Sequence, residues 1–231
     1  MHVIIGAMVE EVEEFLAHAK VSRVVDRGAF HVHEAVLCDK PVAIIKCGVG
    51  KVFAAMITQH VIDAYSPAAV ISTGVAGGLS PALGIGDVVV SRDCIHHDLD
   101  TRALGFLRGH IPYTDLRFFA GDETLVRLAT GADLGDRAHR VVAGRIVTGD
   151  QFIHGDRATT HAYLTDELHG DAVDMETAAI AQVCTVNKAP FVSVRTLSDL
   201  ADGSADVDYM KFLPEVARNS FHIVKAVLEG L

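Results

Sequence analysis

"HVIIGAMVEEVEEFLAHAK", residues 2–20, changes its hydrophobic period partway along. Residues 2–7 hold a short apolar run with β-branched side chains that ends at Gly6, which is the pattern of a buried strand. From Val9 the spacing becomes helical. Val9, Val12, Phe15, Leu16 and Ala19 share one face, and Glu10, Glu13 and Glu14 fill the other. A buried strand that feeds directly into an amphipathic helix over 9–20 is the unit from which α/β layer structures are built.

The pattern repeats outward from there. Strand-like segments fall at 29–37, 42–47, 68–74, 87–95, 140–149 and 190–197, and helix-like ones at 51–65, about 122–130, 176–187 and 208–229. Alternation of this kind predicts an α/β fold with a central twisted, largely parallel sheet flanked by helices. Residues 23–37 read as antiparallel to 42–47, so the sheet is expected to be mixed. No Pro/Ser-rich linker, low-complexity tract or internal repeat interrupts the chain, and residues 1–231 read as one domain. The longest irregular stretch, 97–120, has the character of a functional loop or an interface arm.

Composition narrows the function. Half of the 231 residues are hydrophobic, enough for a substantial core. Thirty acidic residues against twenty basic ones give a net charge of −10, the opposite of what nucleic acid or an anionic membrane attracts. Cys38, Cys47, Cys94 and Cys184 form no C-x-x-C pair and read as free packing thiols in a reducing compartment. The N-terminus meets glutamates at once and lacks the basic leader and apolar core of a signal peptide. No run reaches membrane-span length. The expectation is a soluble cytoplasmic protein acting on a small molecule.

Several motifs invite chemistry and then fall short. "GVGK" (48–51) lacks the glycine spacing and the Ser/Thr of a phosphate loop. It also fails the dinucleotide pattern, because Phe53 stands where the third glycine belongs. "GVAGG" (74–78) reads as a tight strand-to-loop turn where backbone comes close to something. "HHDLD" (96–100) resembles a metal site but has no second cluster of ligand-like spacing, and no metal is expected. There is no G-x-S-x-G elbow. The acids carry more. Glu11 sits in the first turn of the helix after the first strand, where the helix dipole favours a carboxylate. Glu176, in "AVDMETAAIAQVC" (172–184), interrupts an apolar run where a strand gives way to a helix. Asp199 follows the apolar strand "PFVSVRTL" (190–197), beside Ser198 and downstream of Arg195. Acids at three strand ends suit acid/base chemistry on a neutral polar substrate.

The ordered set "IIGAMVEEV", "STGVAGGL", "GDVVVS", "GDQFI", "VDMETAAIAQVC" and "VRTLSDLAD" resembles the 5′-methylthioadenosine/S-adenosylhomocysteine nucleosidases of the nucleoside phosphorylase superfamily, over nearly the whole chain. The resemblance implies residue roles. Glu176 holds the ribose hydroxyls with Met175 packed beside the sugar. Asp199 is the acid that protonates adenine N7, oriented by Ser198. Glu11 activates the attacking water, with Arg195 close by. Phe152 stacks on adenine and the backbone of Ile153 reads its edge. Met8, Val75 and Gly77 fall in the substrate site. Asp174 is a strand-end acid outside the catalysis. The irregular arm crosses to a partner subunit in a homodimer, where Thr101, Leu104, Phe106 and Pro112 close the 5′-alkylthio pocket.

The chemistry suits these residue types. Glycosidic cleavage makes the ribose carbon electron-poor, and adenine leaves once N7 takes a proton. A carboxylate near the sugar stabilises the charge and deprotonates water. No metal or organic cofactor is required. The segment where superfamily phosphorylases bind phosphate has no basic residue here and offers Glu11, so water is the expected nucleophile. One departure stands out: Val75 occupies a position where the family usually has a serine that helps hold the water. Loss of that bond is worth about tenfold in rate. The alternatives are a nucleosidase for aminodeoxyfutalosine or futalosine, a purine nucleoside phosphorylase, and a non-catalytic nucleoside-binding protein.

Overall fold

The period change near residue 8 is a strand-to-helix junction. In the computed structural model, β1 (His2–Gly6) alternates its side chains between two cores, and α1 (Val9–His18) folds back over one of them. Ile5 packs on one face with Ala54, Ile57 and Ala178, whereas Ile4 packs on the other with Val12, Phe15 and Val224. That two-residue alternation makes a strand buried on both sides. The structure describes residues 1–134, 139–154, 160–201 and 205–231, with the backbone alone over 205–217.

One sheet runs through these residues. β1 lies parallel between β4 (Lys40–Lys46) and β5 (Ala69–Gly78). Beyond β4 the sheet continues antiparallel through β3 (Phe30–Leu37) to the edge strand β2 (Lys20–Arg27). On the other side, β10 (Phe191–Asp199) lies parallel to β5 and antiparallel to β6 (Val88–His96). β6 runs parallel to β8 (Val141–Thr148), and β8 runs parallel to β9 (Ala172–Asp174). β9 then returns antiparallel to the end of β5, so these five strands close on themselves. The short β7 (Phe119–Ala120) pairs with β6. The mixed α/β sheet expected from the sequence is therefore present.

Helices cover both faces. α2 (Lys51–Tyr65) and α5 (Thr177–Asn187) pack together on one side. On the other, α1 and α3 (Glu123–Thr130) flank the long α6 (Ala205–Gly230), and Phe15 meets Phe221 edge to face at 5.2 Å. A one-turn helix, α4 (Tyr163–Asp166), follows β8. Asp122 caps α3 by accepting the N–H groups of Thr124 and Leu125. The four cysteines are free; Cys47, Cys94 and Cys184 are buried and Cys38 is partly so. Among the described residues, no helix is long and apolar enough to cross a membrane.

Three local expectations change. The first helix ends at His18, because Ala19 is already extended and Lys20 starts β2. Val9 lies off the apolar face and is half exposed, since the stripe reaches the core only from Val12 onward. "GVAGG" is no turn: β5 runs straight through it to Gly78. The close approach expected there is real, however. Gly74 has φ +149°, and a Cβ on it would land on Arg195 Nη1 and Glu11 Oε1.

Candidate active site

The topology leaves an opening beside β5. β1 pairs with β5 as far as Ser72, and β9 takes up the same side only at Gly77. The backbone between them lacks a strand partner on that side, and its polar groups need one. Glu11 supplies it. At the third position of α1, its Oε1 accepts the Val75 N–H at 3.0 Å. Its Oε2 accepts the N–H groups of Ala7 at 2.6 Å and Met8 at 3.0 Å. The carboxylate thus ties the first helix turn to the open stretch of β5. It is 4% exposed, and burial pushes its carboxyl above the ordinary range, against the pull of Arg195 and the three N–H groups.

Arg195, from the middle of β10, is 1% exposed and lies under the opening. Its guanidinium is 2.9 Å from Asp174 Oδ2, 3.8 Å from Glu176 Oε2 and 4.0 Å from Glu11 Oε1. Thr177 Oγ1, Thr73 O and Ser72 Oγ accept its remaining N–H groups. Asp174, at the end of β9, also accepts from the hydroxyls of Thr148 and Thr177. It is a strand-end anchor for Arg195. Glu176 stands at the residue before α5, where its side chain is turned away from the helix end and accepts the Gly50 N–H at 2.8 Å. Burial raises its carboxyl to about 8, opposed by Arg195 and reinforced by repulsion from Asp174 and Glu11. One buried cation is shared by three carboxyl groups at this end of the site.

Asp199 ends β10 on the far side of the opening, 2% exposed. Ser198 Oγ donates to its Oδ2 at 2.9 Å, and the Ala201 N–H donates to its Oδ1 at 2.8 Å. Between the two ends lies a cavity of ≈ 380 Å³, within the range of small-molecule sites. Glu11, Glu176, Ser198 and Asp199 line it, together with Met8, Val75, Gly77, Met175 and Phe152. Ile153 lines a side recess with Phe152, Gly77 and Asp199. The structure thus brings together every residue expected in the substrate site, with Arg195 beneath the floor. Thr101, Leu104, Phe106 and Pro112 are elsewhere: none of them lines this chain's own cavity, and Leu104 is 65% exposed.

Other contributors were not read from the sequence. Val49, Ala76 and Val173 are apolar cavity wall, indistinguishable in the sequence from core. Ser72 and Thr177 hold Arg195 through long-range contacts that no local pattern encodes. Gly50, at φ +100°, had a visible signal in "GVGK", but its partner Glu176 lies 126 residues away. The "HHDLD" residues have other work. His96 Nε2 bonds with Gln182 at 2.9 Å, His97 Nδ1 bonds with the Tyr163 hydroxyl at 3.1 Å, and Asp98 takes Lys51.

A mixed sheet with its carboxyl-edge cavity walled by acids at the ends of β1, β9 and β10 defines a class. The chain belongs to the phosphorylase superfamily, whose family model matches residues 1–229. Within it, the chain is similar to the 5′-methylthioadenosine/S-adenosylhomocysteine nucleosidase of Anoxybacillus flavithermus, with 38% identity over 99% of this chain and 97% of that protein. Its fold matches the crystal structure of the nucleosidase of the same name from Neisseria meningitidis, in complex with methylthio-immucillin-A. That match has a TM-score of 0.93 and 36% identity over 100% of this chain and 99% of that one. The futalosine hydrolase of Helicobacter pylori is also similar, at TM-score 0.92 and 30% identity over 100% of this chain and 97% of that one. The resemblance carried by the sequence motifs is met.

Proposed function

We propose that the chain hydrolyses the N-glycosidic bond of 5′-methylthioadenosine and S-adenosylhomocysteine, releasing adenine and the 5′-thio-ribose. The observation that carries this reading is the charge of the cavity. Among the described residues, its wall holds Glu11, Asp174, Glu176 and Asp199 and no lysine or arginine. The cation below, Arg195, is already shared by three of those carboxylates. Such a wall offers phosphate no cation of its own, and its ionised carboxylates favour a ribosyl group that turns cationic as its bond to adenine breaks.

The residues divide the work between two ends. At the base end, Asp199 donates a proton to N7, so adenine leaves as a neutral molecule; Ser198 keeps the carboxyl aimed. Phe152 stacks on the purine and Ile153 backbone groups meet its edge. At the sugar end, Glu176 accepts the ribose hydroxyls and Met175 packs against the ring. Glu11, fixed by three N–H groups, takes the proton of the water that adds to the anomeric carbon. Val75 contributes its N–H to Glu11 and no side-chain hydrogen bond to that water.

We place the partner subunit of a homodimer over the exposed apolar face of α2. Val52, Phe53 and Met56 are 69%, 45% and 48% exposed on a helix whose opposite face is core, and α2 starts next to the cavity wall at Val49. Thr101, Leu104, Phe106 and Pro112 of the crossing arm then close the 5′-alkylthio pocket of the other subunit. The free, mostly buried thiols suit a cytoplasmic setting.

Adenine release from 5′-methylthioadenosine, measured with and without phosphate, tests the reading. Release in phosphate-free buffer with free methylthioribose as co-product is expected; release that requires phosphate would overturn the argument from charge. Similarity to a futalosine hydrolase supports a second reading, a nucleosidase for a bulkier 5′ substituent. Higher kcat/KM on aminodeoxyfutalosine than on 5′-methylthioadenosine would select it.

A further inference from the structure

Two motifs left unused by the nucleoside chemistry meet each other. Lys51 Nζ, from "GVGK", donates to both carboxylate oxygens of Asp98, from "HHDLD", at 2.7 Å. Asp98 follows β6 and Asp150 follows β8, and because these strands are parallel, with His96 opposite Thr148, both acids emerge at one edge. The Asp150 N–H donates to Asp98 Oδ2 at 3.0 Å, and Asp150 Oδ1 accepts the Lys51 backbone N–H at 2.9 Å. Lys51 Nζ also lies 3.9 Å from Asp150 Oδ2. A lysine at the first position of α2 faces the positive end of the helix dipole, which disfavours it. The two aspartates offset this, and Asp150 caps the helix from the loop after β8.

Both limbs of this cluster end on the cavity wall. One residue before Lys51, Gly50 holds Glu176 through its N–H; one residue earlier, Val49 lines the cavity. Two residues after Asp150, Phe152 lines the other side. A Cβ on Gly50 would meet Asp150 Oδ1 at 3.2 Å, so the two loops are seated on each other. We propose that Lys51, Asp98 and Asp150 are positioning residues that lock the loop carrying Gly50 to the loop carrying Phe152, fixing the span between the ribose acid and the base platform. The proposal rests on the nucleosidase reading for the identity of the substrate.

The test uses the full chain with Lys51→Met, Asp98→Asn, the double variant and Lys51→Arg. KM and kcat for 5′-methylthioadenosine are measured, together with the Kd for adenine by calorimetry. Lys51→Met and Asp98→Asn are each expected to raise KM and Kd about fivefold, with kcat within about twofold. The double variant should resemble either single one, because the pair acts as a unit. Lys51→Arg, which keeps the charge and the two-pronged contact, should restore most of the affinity. The acid limb of kcat/KM should also move to higher pH, since a slackened Gly50 N–H no longer favours the ionised Glu176. The other groups facing Glu176 are untouched: Arg195 on β10, Asp174 on β9, Glu11 on α1 and the Cys47 thiol after β4. Folded variants with wild-type KM, Kd and acid limb would overturn the proposal. So would a loss confined to Tm and active fraction. Wild-type protein that binds adenine but never releases it from nucleosides would sink the nucleosidase reading instead, and the Kd series would still decide the clamp.

Discussion

Glu11 and Asp199 are both buried carboxyl groups on the wall of one cavity, and their surroundings ask different things of them. Glu11 is held by three backbone N–H groups and lies 4.0 Å from a guanidinium that never gives up its charge. Among the described residues, Asp199 accepts one N–H, that of Ala201, at 2.8 Å, and a hydroxyl, Ser198 Oγ, at 2.9 Å. A hydroxyl can turn: it donates to a carboxylate and accepts from a carboxylic acid, so that contact survives loss or gain of a proton. The N–H groups on Glu11 favour only the ionised form. The sugar end thus holds its carboxyl groups with fixed N–H donors and a shared guanidinium, whereas the base end pairs one N–H with a hydroxyl that can serve either protonation state, which suits an acid that gives a proton to a purine leaving group.

The largest effects should come from erasing either partner of that comparison. Asp199→Asn is expected to lower kcat for 5′-methylthioadenosine about a thousandfold with Tm nearly unchanged, since the amide oxygen can keep the Ala201 N–H while its NH2 donates to Ser198 Oγ; steady-state kinetics and a thermal melt check both. Activity within tenfold of wild type would remove Asp199 as the acid. Glu11→Gln should cost a comparable factor in kcat but keep adenine binding. It should also lower Tm, because an amide has one carbonyl oxygen for three N–H donors and leaves at least one buried donor poorly satisfied.

A middle-sized effect tests the proton on the sugar end. With Glu176 raised to about 8 in the empty site, kcat/KM should climb as pH rises toward that value, because the ionised form takes the ribose hydroxyls. In Glu176→Gln that limb should vanish and kcat/KM should fall about a hundredfold. The same shift has a sign for stability. A carboxyl protonated in the fold and ionised in the unfolded chain stabilises below the unfolded pKa, and this contribution is lost as pH rises through about 8. Melts of wild type and Glu176→Gln across that window should converge at low pH and separate at high pH. The smallest effect belongs to Val75. Val75→Ser should raise kcat by up to about tenfold; an unchanged rate would mean that Glu11 and its surroundings hold the water without help.

Much of this was legible in the sequence, for identifiable reasons. The strand-to-helix period change at residues 2–20 marked the α/β unit, and the three acids were visible for different reasons: Glu11 by its place in the first helix turn, Glu176 because it interrupts an apolar run, and Asp199 because it follows an apolar strand. Arg195 was placed near the water only by the family resemblance, and the pairing that neutralises it was not legible. "GVAGG" misled, since a glycine run looks like a turn; here Gly74 serves to let Arg195 and Glu11 approach an unbroken β5. Lys51, Asp98 and Asp150 stayed unread because their meaning lies in contacts across three elements. Local period and residue type report which face is buried, whereas contacts of that kind depend on strand order, which the sequence pattern leaves open.

The division between the two ends is tested most directly by changing the leaving group. A 4-nitrophenyl 5-methylthioriboside departs as a stable anion and needs no proton. Asp199→Asn should hydrolyse it at near wild-type rate while failing on 5′-methylthioadenosine, and Glu11→Gln should fail on both. Equal loss of both substrates in Asp199→Asn would contradict the account, because the aspartate would then be serving the sugar or the water rather than the base.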